Sequence, residues 1–236
     1  MTQVSTEHDW SKPESMTSEK MMSWRLNEAE SYKNLLRNCN QILFMHKHKP
    51  LDKRRCIVDY GCAFGDLLMI TKVLNPEHDL YGIEYVRGIS QNTEKILGEK
   101  RIFIQSCEVK TPLKPNSVDI ICSFDMIEHV SKQKVNLMLK ECDRILKKDG
   151  VCLIVTPNCN WMMKIIYRLT GNGYILDSKG HPNQYNALTL KDEISKGLDI
   201  IKVEKGYDLN FFTKILSWFG IYRHICIIAS KKIKTN

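Results

Sequence analysis

The stretch Arg55-Cys-Ile-Val-Asp59-Tyr-Gly61-Cys-Ala63-Phe-Gly65-Asp-Leu-Leu68 decides how the rest of the chain is read. A short apolar run, Cys56 to Val58, ends in Asp59, breaks at Gly61 and again at Gly65, and then takes on helical spacing. That pattern is strand, tight turn, helix. Glycine suits both breaks, because the backbone must turn sharply there and approach a ligand that a side chain would obstruct. The helix that follows points its first N–H groups, at the positive end of its dipole, toward whatever lies over the turn. A carboxylate or phosphate would be held there.

Two ligand classes use such a turn. The dinucleotide fingerprint G-x-G-x-x-G, started at Gly61, falls on Gly61, Ala63 and Asp66, and Asp66 is unsuited to close helix–strand packing, which weakens an oxidoreductase reading. What the stretch resembles instead is the first motif of the class I S-adenosylmethionine-dependent methyltransferases. There an acidic residue at a strand end precedes G-x-G-x-G, here Asp59 followed by Gly61, Ala63 and Gly65, with alanine in place of the usual middle glycine. A later segment, Asp119-Ile-Ile-Cys-Ser123-Phe-Asp125-Met-Ile-Glu128-His129-Val130, then an amphipathic helix and Gly150-Val-Cys-Leu-Ile-Val-Thr-Pro157-Asn158, looks like the later motifs of the small-molecule branch of that family.

The resemblance covers roughly residues 55–158. It implies a Rossmann-like α/β fold with a seven-stranded, mostly parallel sheet, helices on both faces, and an antiparallel last strand tucked between the fifth and sixth. S-adenosylmethionine is the implied cofactor and S-adenosylhomocysteine the product. The Asn-Pro-Pro-Tyr/Phe signature of nucleobase amino methyltransferases is absent after the fourth strand, which argues against a DNA adenine substrate.

With 236 residues and 43% apolar composition the chain is long enough for one well-buried core. The net charge of +8 is spread apart from short clusters at His46–Lys49, Lys53–Arg55 and Lys231–Lys234, so a solvated basic face is expected and no nucleic-acid groove. Nine cysteines without a C-x-x-C pair, several inside apolar runs, read as small hydrophobes of a reducing cytoplasm. No apolar run reaches the ~18 residues of a spanning helix.

Residues 1–18 are polar and aperiodic and are expected to form a loose tail. Residues 19–50 read as a helical cap in which Tyr32, Leu35, Leu36, Cys39, Ile42 and Leu43 share one face, with Trp24 and Tyr32 as weaker pocket-lining candidates. Residues 51–236 make up the catalytic domain, with a lid insertion at about 158–188. In that insertion Trp161, Met162, Ile165, Ile166 and Leu169 fall at helical spacing. An apolar segment at 209–219 reads as a helix packed on the sheet.

Glu84 ends the second expected strand, 23 positions after Gly61, near the spacing of a ribose-binding acid. The resemblance places the cofactor over Asp59, Gly61, Cys62, Gly65, Glu84, Tyr85, Cys107, Glu108 and Ser123. Cys107 stands where the family has an adenine-binding Asp, so either Glu108 or a backbone carbonyl takes its place or the adenine is held mainly by packing.

His129, after the fourth strand, and His181, on the lid, are the candidate catalytic bases for an oxygen or nitrogen acceptor whose proton must leave. Asp125, Glu128 and His129 lie at i, i+3 and i+4. With His181 they resemble the Glu-x-x-Glu-His plus distant His set with which some methyltransferases of catechols and RNA ends hold a divalent metal. Bracing of the lid is the preferred role, and no metal is assigned. The expected partner is a small-molecule acceptor. A non-catalytic module that keeps fold and ligand remains the alternative.

Overall fold

The structure, a computed structural model, describes residues 28–84, 102–104, 110–178, 180–206 and 221–233. Seven strands form one sheet: β1 (Cys56–Tyr60), β2 (Asp79–Glu84), β3 (Ile102–Ile104), β4 (Val118–Phe124), β5 (Leu146–Pro157), β6 (Asp199–Lys205) and β7 (His224–Ser230). Their spatial order is β3-β2-β1-β4-β5-β7-β6. β1 to β5 pair in parallel, and β7 runs antiparallel to both β5 and β6, as the resemblance implied. The order reverses between β1 and β4, the switch point at which open α/β sheets hold their ligands.

Helices cover both faces: α1 (Glu28–His48), α2 (Asp66–Leu74), α3 (Lys132–Ile145), α4 (Trp161–Leu169) and α5 (Ala187–Ser195). Alternation along each strand sorts the core into two layers. Ile57, Ile120, Cys122, Leu153 and Val155 face Ile42 and Met45 of α1 and Leu67 and Leu68 of α2. On the other face Val58, Ile121, Cys152 and Ile154 meet Val135, Met138 and Leu139 of α3 and Leu190 and Ile194 of α5. β4 is buried at every position, which is why its sequence is an unbroken apolar run apart from Asp119 and Ser123. The eight described cysteines are free thiols, and Cys122, Cys142, Cys152 and Cys226 lie wholly inside the core.

The face expected of α1 is corrected. Tyr32, Leu35, Leu36, Cys39 and Leu43 are exposed, and of the expected set only Ile42 is buried. The docked line is Asn38, Gln41, Ile42 and Met45, with Phe44 against Phe124 at a ring separation of 6.4 Å. Two polar residues on that line moved the buried stripe one position away from the apolar one, and hydrophobic periodicity cannot register this. Trp24, the third strand beyond 102–104 and the segment 209–219 lie outside the described residues.

Candidate active site

The site is built at the carboxyl ends of β1, β2 and β4. After β1 the backbone enters the left-handed region at Gly61 (φ 81°), Ala63 (φ 46°) and Gly65 (φ 75°). Gly61 and Cys62 donate to the Ile83 carbonyl of the neighbouring strand, at 2.8 and 3.2 Å, and Gly65 N–H closes the turn on Cys62 O at 2.7 Å. Gly65 then caps α2 with no side-chain cap bond. The conformation at Ala63 is one a glycine adopts without cost and alanine adopts against steric resistance. This is the physical reason for the glycine usual at that place.

Glu84, at the end of β2, is buried, and its Oε2 accepts the Ala63 N–H at 2.9 Å. The acid therefore tethers the turn and lies beside it, as the parallel pairing of Tyr60 with Ile83 requires. Asp59 is buried behind it. Burial, and then repulsion from Glu84, push the Asp59 carboxyl up to about 7.

A raised carboxyl stabilises the fold most below its unfolded value. That contribution disappears as pH rises through the folded one. The expected window therefore runs from about pH 4 to pH 7. Asp59→Asn should melt higher than the parent above pH 7, by up to roughly 4 kcal/mol of stability. The gap should close as pH falls toward 4 in thermal denaturation.

Cys62 is placed differently from a ligand-facing residue. Its thiol is buried in the layer with Leu67 and Leu68, and a Cβ added to Gly82 would lie 2.6 Å from its Sγ. Gly82→Ala should destabilise the protein by about 1–3 kcal/mol. Cys62→Ala in the same chain should restore most of that loss in a chemical melt. Gly61 is equally constrained, since a Cβ there would meet Met126 Cγ at 2.5 Å. Met126 thus packs over the turn, a role its place in the sequence did not signal.

Beyond β4 the chain makes a turn rather than a helix. Asp125 is left-handed (φ 51°), and the His129 N–H returns to Met126 O at 2.9 Å. The i, i+3, i+4 convergence of Asp125 with Glu128 and His129 is therefore corrected: Asp125 Oδ1 lies 3.7 Å from His224 Nε2, at the start of β7. Glu128 is buried, its Oε2 accepting the Thr156 hydroxyl at 2.9 Å. Burial, and then Asp125, raise its carboxyl well above the ordinary range. Ser123 is fully buried, its hydroxyl without a hydrogen-bond partner.

The connection after β5 comes back onto this turn. Asn183 donates from its side chain to Ile127 O and Val130 O, and its N–H reaches Glu128 O at 3.2 Å. His129 and His181 are thereby brought together with ring centroids 4.5 Å apart. His129 Nδ1 lies 2.8 Å from Gly180 O. A carbonyl only accepts, so Nδ1 carries the proton and Nε2 the lone pair. Burial lowers both imidazoles, His181 to about 4 with His129 as the second cause.

One ligand atom from each of Glu128, His129 and His181 falls within 4.8 Å of the others, so these three could hold a metal ion. Asn183, Thr156 and His224 join the site from distant positions, and no local pattern marks them. Tyr85, Cys107 and Glu108 lie outside the described residues.

On α4 the buried residues are Met163 and Tyr167, packed on Cys159 and Ile175. Trp161, Ile165 and Leu169, set at helical spacing in the sequence, are exposed. No described helix is long and apolar enough to cross a membrane.

Residues 58–154 match the family model of a methyltransferase domain. A probable S-adenosylmethionine-dependent methyltransferase of Mycobacterium tuberculosis is 28% identical over 114 residues, covering 46% of this chain and 38% of that protein. This chain therefore spans well under two thirds of that relative's length. The phosphoethanolamine N-methyltransferase of Plasmodium falciparum is 24% identical over 201 residues, 79% of this chain and 75% of that one. Among solved structures, the geranyl diphosphate C-methyltransferase of Streptomyces coelicolor shares the fold with a TM-score of 0.56 at 14% identity, over 81% of this chain and 78% of that one. Over residues 58–154 this chain therefore carries a methyltransferase domain, and its strand order and the acid-flanked turn after β1 are those expected of the class I S-adenosylmethionine-dependent fold.

Proposed function

We propose that this chain transfers the methyl group of S-adenosylmethionine to an oxygen or nitrogen of a small-molecule acceptor. The observation that carries the reading is the pairing of two features along one sheet edge. One is a left-handed turn tethered to the Glu84 carboxylate; the other is a neutral imidazole pair, His129 and His181, beyond the next strand.

The residues fit the cofactor. The three left-handed positions of the turn, Gly61, Ala63 and Gly65, carry no bulky side chain, the Glu84 carboxylate beside them suits the ribose hydroxyls, and the helix start at Asp66 offers N–H groups. Bound there, S-adenosylmethionine supplies a methyl already activated by the positive sulfonium. What remains for the protein is alignment, exclusion of water, and a place for the acceptor's proton. His129 Nε2 is that place, held as a lone pair by the Gly180 contact. The connection 158–188 acts as the lid, and its hydrogen bonds through Asn183 keep His181 beside His129.

The name of the Plasmodium relative, which covers most of both chains, supports a small polar acceptor. Calorimetry with S-adenosylmethionine, S-adenosylhomocysteine and NAD tests the cofactor half of the proposal: both sulfur ligands should bind and NAD should not. Turnover against panels of hydroxyl and amine acceptors tests the other half. Binding without turnover on any acceptor would point to a non-catalytic module.

A further inference from the structure

We propose that the outward face of α4 docks on an anionic lipid membrane, with the helix lying along the headgroup region and Trp161, Ile165 and Leu169 inserted. These three fall at i, i+4 and i+8, so they form one line along the helix. They are apolar, yet 72%, 47% and 80% exposed. The opposite side is already committed. Met163 and Tyr167 pack on Cys159 and Ile175, and the Tyr167 hydroxyl donates to the Arg223 carbonyl at 3.1 Å. The helix therefore cannot rotate to bury its outer line.

Charge selects the occupant. Lys164 and Arg168, each one position before an apolar member of the line, flank it along one side. No acidic residue occurs from Gly150 to Leu176. A cationic edge beside an apolar line that carries tryptophan is the make-up of helices that lie in a membrane interface. Lysine and arginine stems follow the acyl boundary while their charges reach phosphate. The indole has the same dual character, an apolar body with one N–H donor. The net charge of +8 adds a general attraction to an anionic surface. Nine residues make a helix of about 14 Å, too short to span a bilayer, so α4 lies in the plane of the surface.

Size argues against a protein partner. The three side chains expose on the order of 400 Å², about half of the ~800 Å² that each partner contributes to a stable protein interface. Insertion into lipid has no such threshold, because each apolar group adds its own transfer free energy. The other exposed apolar line, on α1, serves as an internal control: that helix carries Glu28 and Glu30 and no tryptophan. Docking by α4 does not depend on the methyl-transfer reading.

The test is co-sedimentation of untagged full-length protein with vesicles of phosphatidylcholine alone and of equimolar phosphatidylcholine and phosphatidylglycerol. The parent should bind the mixed vesicles about tenfold or more tightly than the neutral ones, and less tightly as salt rises. Trp161→Ser combined with Leu169→Ser should lower that affinity about tenfold or more. Lys164→Gln combined with Arg168→Gln should lower it about 10–30-fold. Leu35→Ser combined with Leu43→Ser on α1 should stay within about twofold of the parent.

All six substituted side chains lie at least partly at the surface, and circular dichroism melts confirm that each variant folds. No sedimentation of the parent with either vesicle, or unchanged affinity in folded Trp161→Ser/Leu169→Ser, overturns the docking surface. Equal binding of the parent to neutral and mixed vesicles overturns the anionic partner. A loss in the α1 variant as large as in the α4 variant overturns the assignment to α4. Sedimentation velocity without lipid tests the other occupant: self-association of the parent that Trp161→Ser/Leu169→Ser abolishes gives the face to a second copy of the chain and overturns the proposal.

Discussion

Glu84→Ala should weaken S-adenosylhomocysteine binding by about 100-fold or more, the equivalent of losing two charge-assisted hydrogen bonds to a ribose. The side chain acts twice. It accepts the Ala63 N–H at 2.9 Å, which keeps a strained left-handed residue in place, and it presents the carboxylate beside the turn where the sugar is expected. Glu84→Gln separates the two roles, since an amide oxygen can still accept the Ala63 N–H but carries no charge. We expect an intermediate loss from it, near tenfold. Calorimetry on the two variants reads both numbers. Affinity equal to the parent in Glu84→Ala would mean that the sugar lies elsewhere.

The second large effect is on turnover. His181→Ala should lower kcat by about 100-fold or more while S-adenosylhomocysteine affinity stays within about twofold of the parent. The imidazole packs on His129 at 4.5 Å, beyond the end of β4. Its burial also sets the pH dependence. A histidine pushed down to about 4 is neutral through the physiological range, and burial lowers His129, the proton's destination, as well, so kcat should hold constant on descending through pH 6.5, with its acid limb below that. In His181→Ala that acid limb should change position. Loss of cofactor affinity in step with kcat would instead assign His181 to the cofactor pocket.

Much of the fold was readable because its signals are local. The strand–turn–helix at 56–74 needs only two glycines and an apolar run, and the strand ends at Asp59 and Glu84 carry their acids in the open. The left-handed angle at Ala63 could not be seen, yet the family's glycine at that place anticipates it.

What failed depends on contacts made across the chain. The buried side of α1 runs through Asn38 and Gln41, so an apolar stripe of Tyr32, Leu35, Leu36 and Leu43 looks like a core face and is solvent-exposed instead. Cys62 sits in a glycine-bearing turn, which suggests a ligand contact, but its thiol fills the space left by Gly82 on the adjacent strand. Asp125 seemed to belong with Glu128 and His129 because helical spacing was assumed, whereas a left-handed residue redirects it toward His224, nearly a hundred positions later. Asn183, which fastens the connection to the site, has no neighbours in sequence that mark it.

The insertion of β7 between β5 and β6 has a consequence for how the chain is made. Until residues 224–230 leave the ribosome, β5 presents an open hydrogen-bonding edge and β6 has no neighbour. A nascent chain halted short of that point would carry an apolar strand rim able to pair with other copies. Synthesis of this protein should therefore draw on chaperones most heavily until β7 has emerged and paired, and truncation before His224 should send it into inclusion bodies.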